Sequence, residues 1–256
     1  MACLQINNEL EIGVLHMVVI DFDPSSAQRY VNQGFNIVTV DVLRASSTIT
    51  VGLARGAAEI IPCVTVDEAF ALKQRHDAIL VGERNAVIVA GFDYTNSPYD
   101  LEQTDLTGRI MVITTSTGTR LIAESMGAAH ILIGTTINAR AVANKMAQLG
   151  NQWAIIGAGT RGEFRPEDKV GCAVIAQYFL QVTGETTDSA TQAFIDEFGS
   201  NSYEHISQSP STIKLLSLGR ACDVDFVLNH PDAFEIVPQV ILKQAADAAY
   251  LSIVQA

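Results

Sequence analysis

The segment VITTSTGTRLIAESMGAAHILIG runs from Val112 to Gly134 and decides how this chain folds. It contains an apolar run, a hydroxyl-rich turn, a short apolar helix pattern and a second apolar run. This order predicts a strand–helix–strand unit with buried strands. Five Ser and Thr side chains surround Gly118, where the first strand should end and the helix begin. The segment therefore predicts an unusually polar loop at a strand–helix turn.

A second segment repeats this layout. SSTITVGLARGAAEII from Ser46 resembles TGTRLIAESMGAAHIL from Thr117 in its hydroxyl-rich start, its apolar helix pattern and its Gly-Ala-Ala exit into a strand. Gly56 and Gly127 lie where helices commonly end, because glycine adopts the left-handed conformation without strain. Two unrelated strand–helix units could share this layout, so a true repeat is one of two interpretations.

Under either interpretation, both hydroxyl-rich loops should open at the same edge of the sheet. The first loop follows the apolar run NIVTVDV and contains Asp41 and Arg44. We therefore expect Asp41 and Arg44 to lie near the loop at 114–119. Ligands of parallel α/β sheets commonly bind beyond the carboxyl ends of the strands.

Apolar runs typical of strands alternate with helical patterns along most of the chain. This alternation predicts an α/β fold, a three-layer α/β/α arrangement with a mainly parallel sheet, in a single compact domain over residues 1–256. Residues 186–218 are mostly helical and polar, which predicts a helical cover over the sheet. The tail at 223–240 is expected to be short strand or irregular, followed by a helix from about Leu242.

Composition excludes several classes of partner. The 256 residues include 16 Lys and Arg against 28 Asp and Glu, a formal net charge of −12. Such a surface repels polyanions, so nucleic acid and anionic membranes are not expected partners. A small anionic substrate would need a locally positive pocket or a metal ion. The chain leaves room for a homo-oligomer.

Cysteine spacing and the first residues indicate a cytoplasmic protein. Cys3, Cys63, Cys172 and Cys222 are far apart and form no Cys-x-x-Cys pair, so neither a zinc finger nor a disulfide scaffold is predicted. The N-terminus has no basic stretch before its first apolar run, and that run is too short to span a membrane.

The loop at 114–119 has the composition of an anion site. Helix N-termini present unpaired N–H groups and the positive end of the helix dipole, and hydroxyls add neutral donors. Arg120 can add a forked cation for phosphate or sulfonate. An ordinary N-cap needs only one hydroxyl, so five hydroxyls favour anion binding.

Acidic residues follow three of the predicted strands or turns. Asp41 alone could be an N-cap, but its combination with Arg44 suggests a metal ligand beside a phosphate-binding cation. Glu83 follows an apolar strand directly, which favours a functional role. Glu167 and Asp168 stand at a predicted helix start, where the helix dipole alone favours acidic residues.

An alternative site begins at Asp21. Asp21 and Asp23 follow an apolar run and match the D-x-D-x-[ST] pattern of haloacid-dehalogenase-type phosphatases, in which the first Asp attacks phosphorus. Thr114 could supply the hydroxyl motif of that class. The paired acids that should follow are not evident, and Pro24 and the serines after it are typical of a turn.

Five stretches together resemble the 2-phosphosulfolactate phosphatase family. They occur in the family's order and approximate spacing, and are TVDVLRASSTI, GERNAVIVAGFDYTNSP, ITTSTGTRLI, GAGTRGEFRPEDKVGCAVIA and VDFVLNHPDAFEIVP. The resemblance implies a magnesium-dependent phosphomonoesterase that converts 2-phospho-3-sulfolactate to 3-sulfolactate and phosphate, on the route to coenzyme M. That substrate carries phosphate, sulfonate and carboxylate groups, and Mg²⁺ would bridge carboxylates and phosphate oxygens.

The resemblance also implies a set of site residues. Glu167 and Asp168 align with an acidic pair typical of the family, which gives them a functional interpretation. Asp41, Glu83 and Asp168 are expected to hold Mg²⁺ or orient water, with Glu167 as a further catalytic candidate. The expected ligands of the substrate's anionic groups are Arg44, Asn96, Ser97, Thr114, Thr115, Ser116, Gly118, Thr119 and Arg120.

Two departures from the family pattern lie near this expected site. Thr117 stands where the family usually has asparagine, and Asn85 and Ala86 replace glycines that usually follow Gly-Glu-Arg. The substrate could therefore differ even if the chemistry is the same. A non-catalytic anion-binding protein that kept these loops is the remaining alternative.

Overall fold

The computed structural model describes residues 16–159, 163–200, 202–244 and 249–256. Within these ranges the strands are β1 (His16–Asp21), β2 (Asn36–Val40), β3 (Glu59–Pro62), β4 (Ile79–Arg84), β5 (Val87–Ile88), β6 (Ile110–Thr114), β7 (Ile131–Gly134), β8 (Asn151–Gly157), β9 (Pro238–Gln244) and β10 (Ala249–Gln255). The helices are α1 (Ala27–Asn32), α2 (Ala45–Ala54), α3 (Val66–His76), α4 (Pro98–Glu102), α5 (Gly118–Glu124), α6 (Ala139–Leu149), α7 (Pro166–Thr183), α8 (Ser189–Phe198), α9 (Ser202–Ser207), α10 (Pro210–Ser217) and α11 (Ala221–Asn229).

The strands form one mixed, mostly parallel sheet in the order β1-β8-β2-β7-β9-β10-β3-β6-β4-β5. One parallel half contains β1, β8, β2 and β7, and the other contains β3, β6 and β4. The hairpin of β9 and β10 lies between them. Because three antiparallel pairings separate β7 from β3, the two halves run in opposite directions.

Helices cover both faces of this sheet, as predicted for a three-layer α/β/α fold. Alternate residues of a strand project to opposite faces. Val38 of β2 joins a large apolar cluster that includes Val142 of α6 and Ile175 of α7. Ile37, the preceding residue, joins a smaller cluster with Leu121 of α5. In the other half, a third cluster packs α3 against β3, β6 and β4.

The two segments of the sequence repeat are reciprocal crossovers between the halves. Helix α2 leaves β2 in one half and leads to β3 in the other, whereas α5 leaves β6 and leads back to β7. The two helices contact each other. The prediction that both loops open at one sheet edge is wrong, because β2 and β6 run in opposite directions. Their proximity is confirmed, and it results from these exchanged crossovers in a twisted sheet.

The C-terminal prediction needs two corrections. The stretch expected to be strand or irregular begins with helix α11, and the helix expected from about Leu242 is replaced by β9 and β10. Alanine favours helix locally, but β10 pairs with both β9 and β3. Pairing inside the sheet therefore outweighs local propensity.

The helical cover predicted at 186–218 is present as α8, α9 and α10. Helices α8 and α9 pack on α7, and α10 packs on α11. Over the described parts of the chain, none of the helices combines the length and the apolar character needed to cross a membrane.

Candidate active site

Four carboxylates predicted from sequence lie together in the interior. Asp41 follows β2, and Glu83 is the second-to-last residue of β4. Glu167 and Asp168 are in the first turn of α7. Their relative exposures are 8%, 7%, 1% and 3%, respectively. Burial of so many acids in one region is unfavourable unless each is bonded or compensated.

The pKa values of these carboxyl groups reflect the cost of burying them. Burial raises the pKa of Asp41 to about 6, and the negative charges of Glu83 and Glu167 add to this effect. Burial also raises the pKa of Asp168 well above its usual range, assisted by the charges of Asp41 and Glu167. Burial raises the pKa of Glu167 as well, while hydrogen bonds from Ser211 and Ser209 oppose the change. The cluster therefore attracts protons or a cation.

Two of the carboxylates, Asp41 and Glu83, accept backbone N–H groups at or just before the N-termini of α2 and α5. Asp41 Oδ1 accepts the N–H of Ala45 at 3.1 Å, at the start of α2. Glu83 Oε1 accepts the N–H of Ser116 at 2.7 Å, just before α5, and Glu83 Oε2 accepts the Ser116 hydroxyl at 3.1 Å. Each carboxylate is thus stabilised where the helix dipole is positive.

Gly118 allows the two helix N-termini to approach each other. A Cβ atom at position 118 would lie 2.5 Å from Ala45 Cβ and 2.7 Å from Asp41 Oδ2. The preceding hydroxyl, on Thr117, lies 3.5 Å from Asp41 Oδ2. The predicted proximity of the 41–48 and 114–119 loops is therefore direct contact.

Asp168 connects two further loops to this center. Its Oδ1 accepts the N–H of Val42 at 2.9 Å, and its Oδ2 accepts the N–H of Gly159 at 3.0 Å. Both carboxylate oxygens are bonded to backbone. Asp168 thereby holds the loop after β8 beside the loop after β2.

The hydroxyls of the 114–119 loop divide into two groups. Thr115 and Thr119 bond to each other's backbone N–H groups at 3.2 Å, and Thr114 Oγ1 accepts from Arg84 at 2.9 Å. These three side chains are buried and stabilise the loop itself. Ser116 is exposed, Thr117 is partly exposed and Arg120 is exposed. A ligand arriving from solvent would therefore meet the second group.

Arg44 is engaged by the protein. Its side chain is 2% exposed, and its Nη1 lies 2.7 Å from Asp223 Oδ2. Its Nη2 approaches the Ala86 carbonyl at 3.5 Å and Thr95 Oγ1 at 3.4 Å. The structure therefore places Arg44 beside the predicted site. Its guanidinium is paired with Asp223 and faces two neutral acceptors, the Ala86 carbonyl and the Thr95 hydroxyl.

Asn96 and Ser97 lie on the α4 side of the cluster. The Asn96 carbonyl accepts from Thr48 Oγ1 at 2.9 Å, and Ser97 Oγ accepts the N–H of Asp100 as the N-cap of α4. Ser97 also donates a hydrogen bond to Asp223. Both residues are buried, so these bonds position α4 relative to α2.

Sequence reasoning missed several residues of this region. Arg84 also donates to the Glu83 carbonyl at 2.7 Å, and its position next to Glu83 was the available signal. Arg165, the residue before α7, has a buried Nε without a partner among the described residues. Glu167 Oε2 is another such atom. Ser209 and Asp223 are distant in sequence from every predicted motif residue they contact, so no local signal identified them.

Asp21, the alternative nucleophile, has both carboxylate oxygens in use. Oδ1 accepts the N–H groups of Phe22 at 2.7 Å and Asp23 at 3.0 Å. Oδ2 bonds to Arg29 at 2.8 Å and Tyr30 at 3.0 Å. This geometry is typical of a carboxylate that stabilises a turn and is paired with a cation, here Arg29.

Among the residues that the structure describes, no three His, Cys, Asp or Glu side chains are arranged to ligate one metal ion directly. The predicted Mg²⁺ ligands are therefore near one another without forming a closed cage. Magnesium commonly keeps several waters and binds one or two carboxylates plus substrate phosphate oxygens.

Comparisons with known proteins show which family this chain resembles. The family model for 2-phosphosulpholactate phosphatase matches residues 23–243. The protein named probable 2-phosphosulfolactate phosphatase from Clostridium novyi is 36% identical over 207 residues, which cover 79% of this chain and 88% of that protein. Proteins of the same name from Clostridium tetani and Clostridium acetobutylicum are 36% and 32% identical, covering 80% and 87% of this chain and 88% and 95% of their own lengths.

The family match includes every segment that carries the buried carboxylates, from the loop after β2 to the first turn of α7. The chain therefore belongs to the 2-phosphosulfolactate phosphatase family.

Proposed function

We propose that this protein is a magnesium-dependent phosphomonoesterase that hydrolyses 2-phospho-3-sulfolactate to 3-sulfolactate and phosphate, in the cytoplasm and on a route to coenzyme M. The observation that carries the proposal is the meeting of two helix N-termini at a cluster of four buried carboxylates. The N-termini attract an anion, while the carboxylates attract a cation. A phosphate ester with a bound cation satisfies both.

The residues present fit Mg²⁺. Asp41 and Asp168 each have a raised pKa with burial as the main cause, and the buried cluster holds four carboxylates, so a bound cation would offset their negative charge. Carboxylate oxygens are the donors that Mg²⁺ prefers. Asp41, Glu83 and Asp168 would hold the ion, which when bound would neutralise charge on the phosphate oxygens.

The substrate's anionic groups would bind at the open side of the 114–119 loop. Ser116 and Thr117 lie there, and their hydroxyls would turn from Glu83 and Asp41 to donate to the substrate, while Gly118 brings the start of α5 against the start of α2. Arg120 is exposed in the first turn of α5 and makes no bond or ion pair with the other described residues, so its guanidinium is available to a sulfonate or phosphate. The buried Thr114, Thr115 and Thr119 would support this loop from beneath.

Hydrolysis requires a proton for the leaving alkoxide and an oriented water. A carboxyl group whose pKa is raised by burial is better suited to donate a proton than an exposed carboxyl group. We assign this donor to Glu167, because burial raises its pKa and its Oε2 has no partner in the described chain. Glu83, held by Ser116 and Ala86, would orient the attacking water.

The test is phosphate release from racemic 2-phosphosulfolactate and a small panel of phosphorylated hydroxy acids, with Mg²⁺ and with EDTA. Asp41→Asn and Glu83→Gln should each lower kcat by about a thousandfold, because both remove charge at the reacting center. Asp21→Asn is the matched control and should retain activity. Full activity of both site variants would refute the assignment.

The panel also separates the alternatives. Turnover of a different phosphorylated hydroxy acid would keep the mechanism and change the substrate. An inactive Asp21→Asn variant would instead identify a dehalogenase-type nucleophile. Binding of the panel anions without phosphate release, detected as a thermal shift, would indicate a non-catalytic anion-binding protein.

A further inference from the structure

Asp223 is a fully buried carboxylate outside the proposed catalytic cluster. It lies in the first turn of α11 and is 0% exposed. Its Oδ2 is 2.7 Å from Arg44 Nη1 and 3.5 Å from Arg220 Nε, and its Oδ1 accepts the hydroxyl of Ser97. A buried carboxylate with this many partners holds its neighbours in one geometry.

Arg44, the main partner of Asp223, lies between the loops that carry Asp41 and Glu83. Its own backbone belongs to the loop after β2, three residues beyond Asp41. Its guanidinium approaches the carbonyl of Ala86 at 3.5 Å, and the N–H of that same Ala86 donates to Glu83 Oε2 at 2.6 Å. Arg44 therefore joins the loop that carries Asp41, through its backbone, to the turn that supports Glu83, through its guanidinium.

The Ala86 turn depends on such support. Asn85 and Ala86 have φ angles of +57° and +67°, in the left-handed region that disfavours residues with a Cβ. The bonds from Ala86 to Glu83 and Arg44 hold the turn in this conformation. Loss of the Arg44 contact would loosen the turn and weaken one of the supports of Glu83, whose other support is Ser116.

We propose that Asp223 is a positioning residue, which acts through Arg44 to hold Glu83 and Asp41 in their working geometry. The inference rests on the proposed function, because it assigns Asp223 to the same site. Asp223 touches neither substrate nor Mg²⁺ in this proposal. The charge matters because removing one partner of a buried ion pair leaves the other charge uncompensated, so the Arg44 guanidinium would move toward a different acceptor.

The test compares Asp223→Asn with Asp232→Asn. Asp232 also lies near an arginine beside α11, with the Arg140 guanidinium 4.0 Å from its Oδ2 and the Arg140 backbone N–H donating to its Oδ1 at 2.8 Å, but it lies outside the cluster. Asp223→Asn should lower kcat at saturating Mg²⁺ and substrate by about 10- to 100-fold, the usual size of effect for an outer-shell support. Asp232→Asn should leave kcat within about twofold, which is within the range of a surface substitution.

A double mutant separates positioning from general destabilisation. Arg44→Lys keeps a charge for Asp223, but the compact ammonium cannot also reach Ala86. If Asp223 acts only through Arg44, the Asp223→Asn/Arg44→Lys protein should lose no more kcat than the worse single variant. Additive losses, or an unchanged kcat in folded Asp223→Asn protein, would overturn the proposal. If Asp223→Asn does not fold, Arg44→Lys alone decides, and an unchanged kcat there would overturn it.

Calorimetric titration with Mg²⁺ and inorganic phosphate gives a readout that does not require turnover. The wild type should bind the pair, and Asp223→Asn should bind it about tenfold more weakly. If the wild type binds but hydrolyses nothing on the panel, the proposed function fails while the positioning role is still measured. If wild type and Asp223→Asn bind equally, the positioning role fails whatever the activity. If the wild type does not bind the pair, there is no site to position and both proposals fail.

Discussion

The starts of α2 and α5 share one sequence layout and differ in what surrounds them. At α2, the carboxylate of Asp41, which accepts the first N–H of the helix, is buried, and Arg44 is held in an ion pair with Asp223. At α5, Ser116 and Arg120 are exposed. The same strand–helix turn is thus used once as a rigid support and once as an open end. The difference follows from the elements packed outside each turn, since α11 packs on α4 and α4 on α2.

This contrast shows how one motif can serve two purposes. The supported end keeps its carboxylate in a costly, desolvated position, and the open end keeps donors accessible to a ligand. Because Gly118 places the two ends in contact, a change at either end should affect the other. The following predictions test that coupling.

The largest effect on the free energy of unfolding is expected where the starts of α2 and α5 touch. Gly118→Ala would place a methyl group 2.5 Å from Ala45 Cβ and 2.7 Å from Asp41 Oδ2, so α5 must move away from α2. We expect loss of at least about a hundredfold in kcat/KM and about 3 kcal/mol in the free energy of unfolding, typical of overpacking. Steady-state kinetics and urea denaturation would measure both.

Ala45→Gly is the compensating variant, because it removes the second methyl group of that contact. The Gly118→Ala/Ala45→Gly protein should regain part of the activity of Gly118→Ala alone. Unchanged activity in Gly118→Ala would contradict the contact between the two helix starts.

The second effect concerns how much the buried Asp41 carboxylate lowers the free energy of unfolding. Burial raises the pKa of Asp41 from 3.8 to about 6, so the folded protein binds an extra proton between these pH values and loses stability as the pH rises through them. Asp41→Asn keeps an oxygen acceptor for Ala45 and removes the charge. Without Mg²⁺, it should be more stable than wild type by on the order of 2 kcal/mol at pH 7.5 and by less than ~1 kcal/mol at pH 4.

Urea denaturation in EDTA at the two pH values measures this difference. A wild type that is more stable than Asp41→Asn at pH 7.5 would show that the carboxylate is compensated without a cation. A gain in stability together with lost activity would identify Asp41 as a group kept for function at the expense of stability.

The smallest effect is expected beneath the open end. Thr119→Val removes the acceptor of the Thr115 N–H and should cost about 1 kcal/mol of unfolding free energy, as loss of a helix cap does. Because the Thr119 hydroxyl is used by the loop itself, KM should change little. A large rise in KM with unchanged stability would instead restore direct substrate binding by Thr119.

The success of the fold prediction depended on whether local pattern and tertiary pairing agreed. The alternation at β2, α2, β3 and at β6, α5, β7 was readable because buried parallel strands are apolar throughout. The helix expected from Leu242 was wrong because β9 and β10 pair with β7 and β3, strands that are far from them in the sequence. The opposite direction of the two halves of the sheet could not be predicted from the sequence either, because it depends on the hairpin of β9 and β10 between them.

The carboxylates of the site were found from sequence for a comparable reason. Asp41 and Glu83 follow apolar strands, and Glu167 and Asp168 belong to a run that resembles the family. Local pattern therefore located Asp41 and Glu83, and the family resemblance located Glu167 and Asp168. Local pattern also assigned every hydroxyl of the 114–119 loop to one task. Only the packing separates Thr115 and Thr119, which bond to each other, from Ser116, which faces solvent.

The sequence by itself determined the strand–helix units, the repeat around Gly56 and Gly127, and the chemical types gathered near the site. These properties are local, because periodicity, turn glycines and side-chain chemistry act within about one element. The tertiary structure alone decided that the halves run in opposite directions, that α2 and α5 meet at Gly118, and that Asp223 pairs with Arg44. Those contacts join residues far apart in the chain, and burial and charge pairing between them become defined only when the whole sheet is assembled.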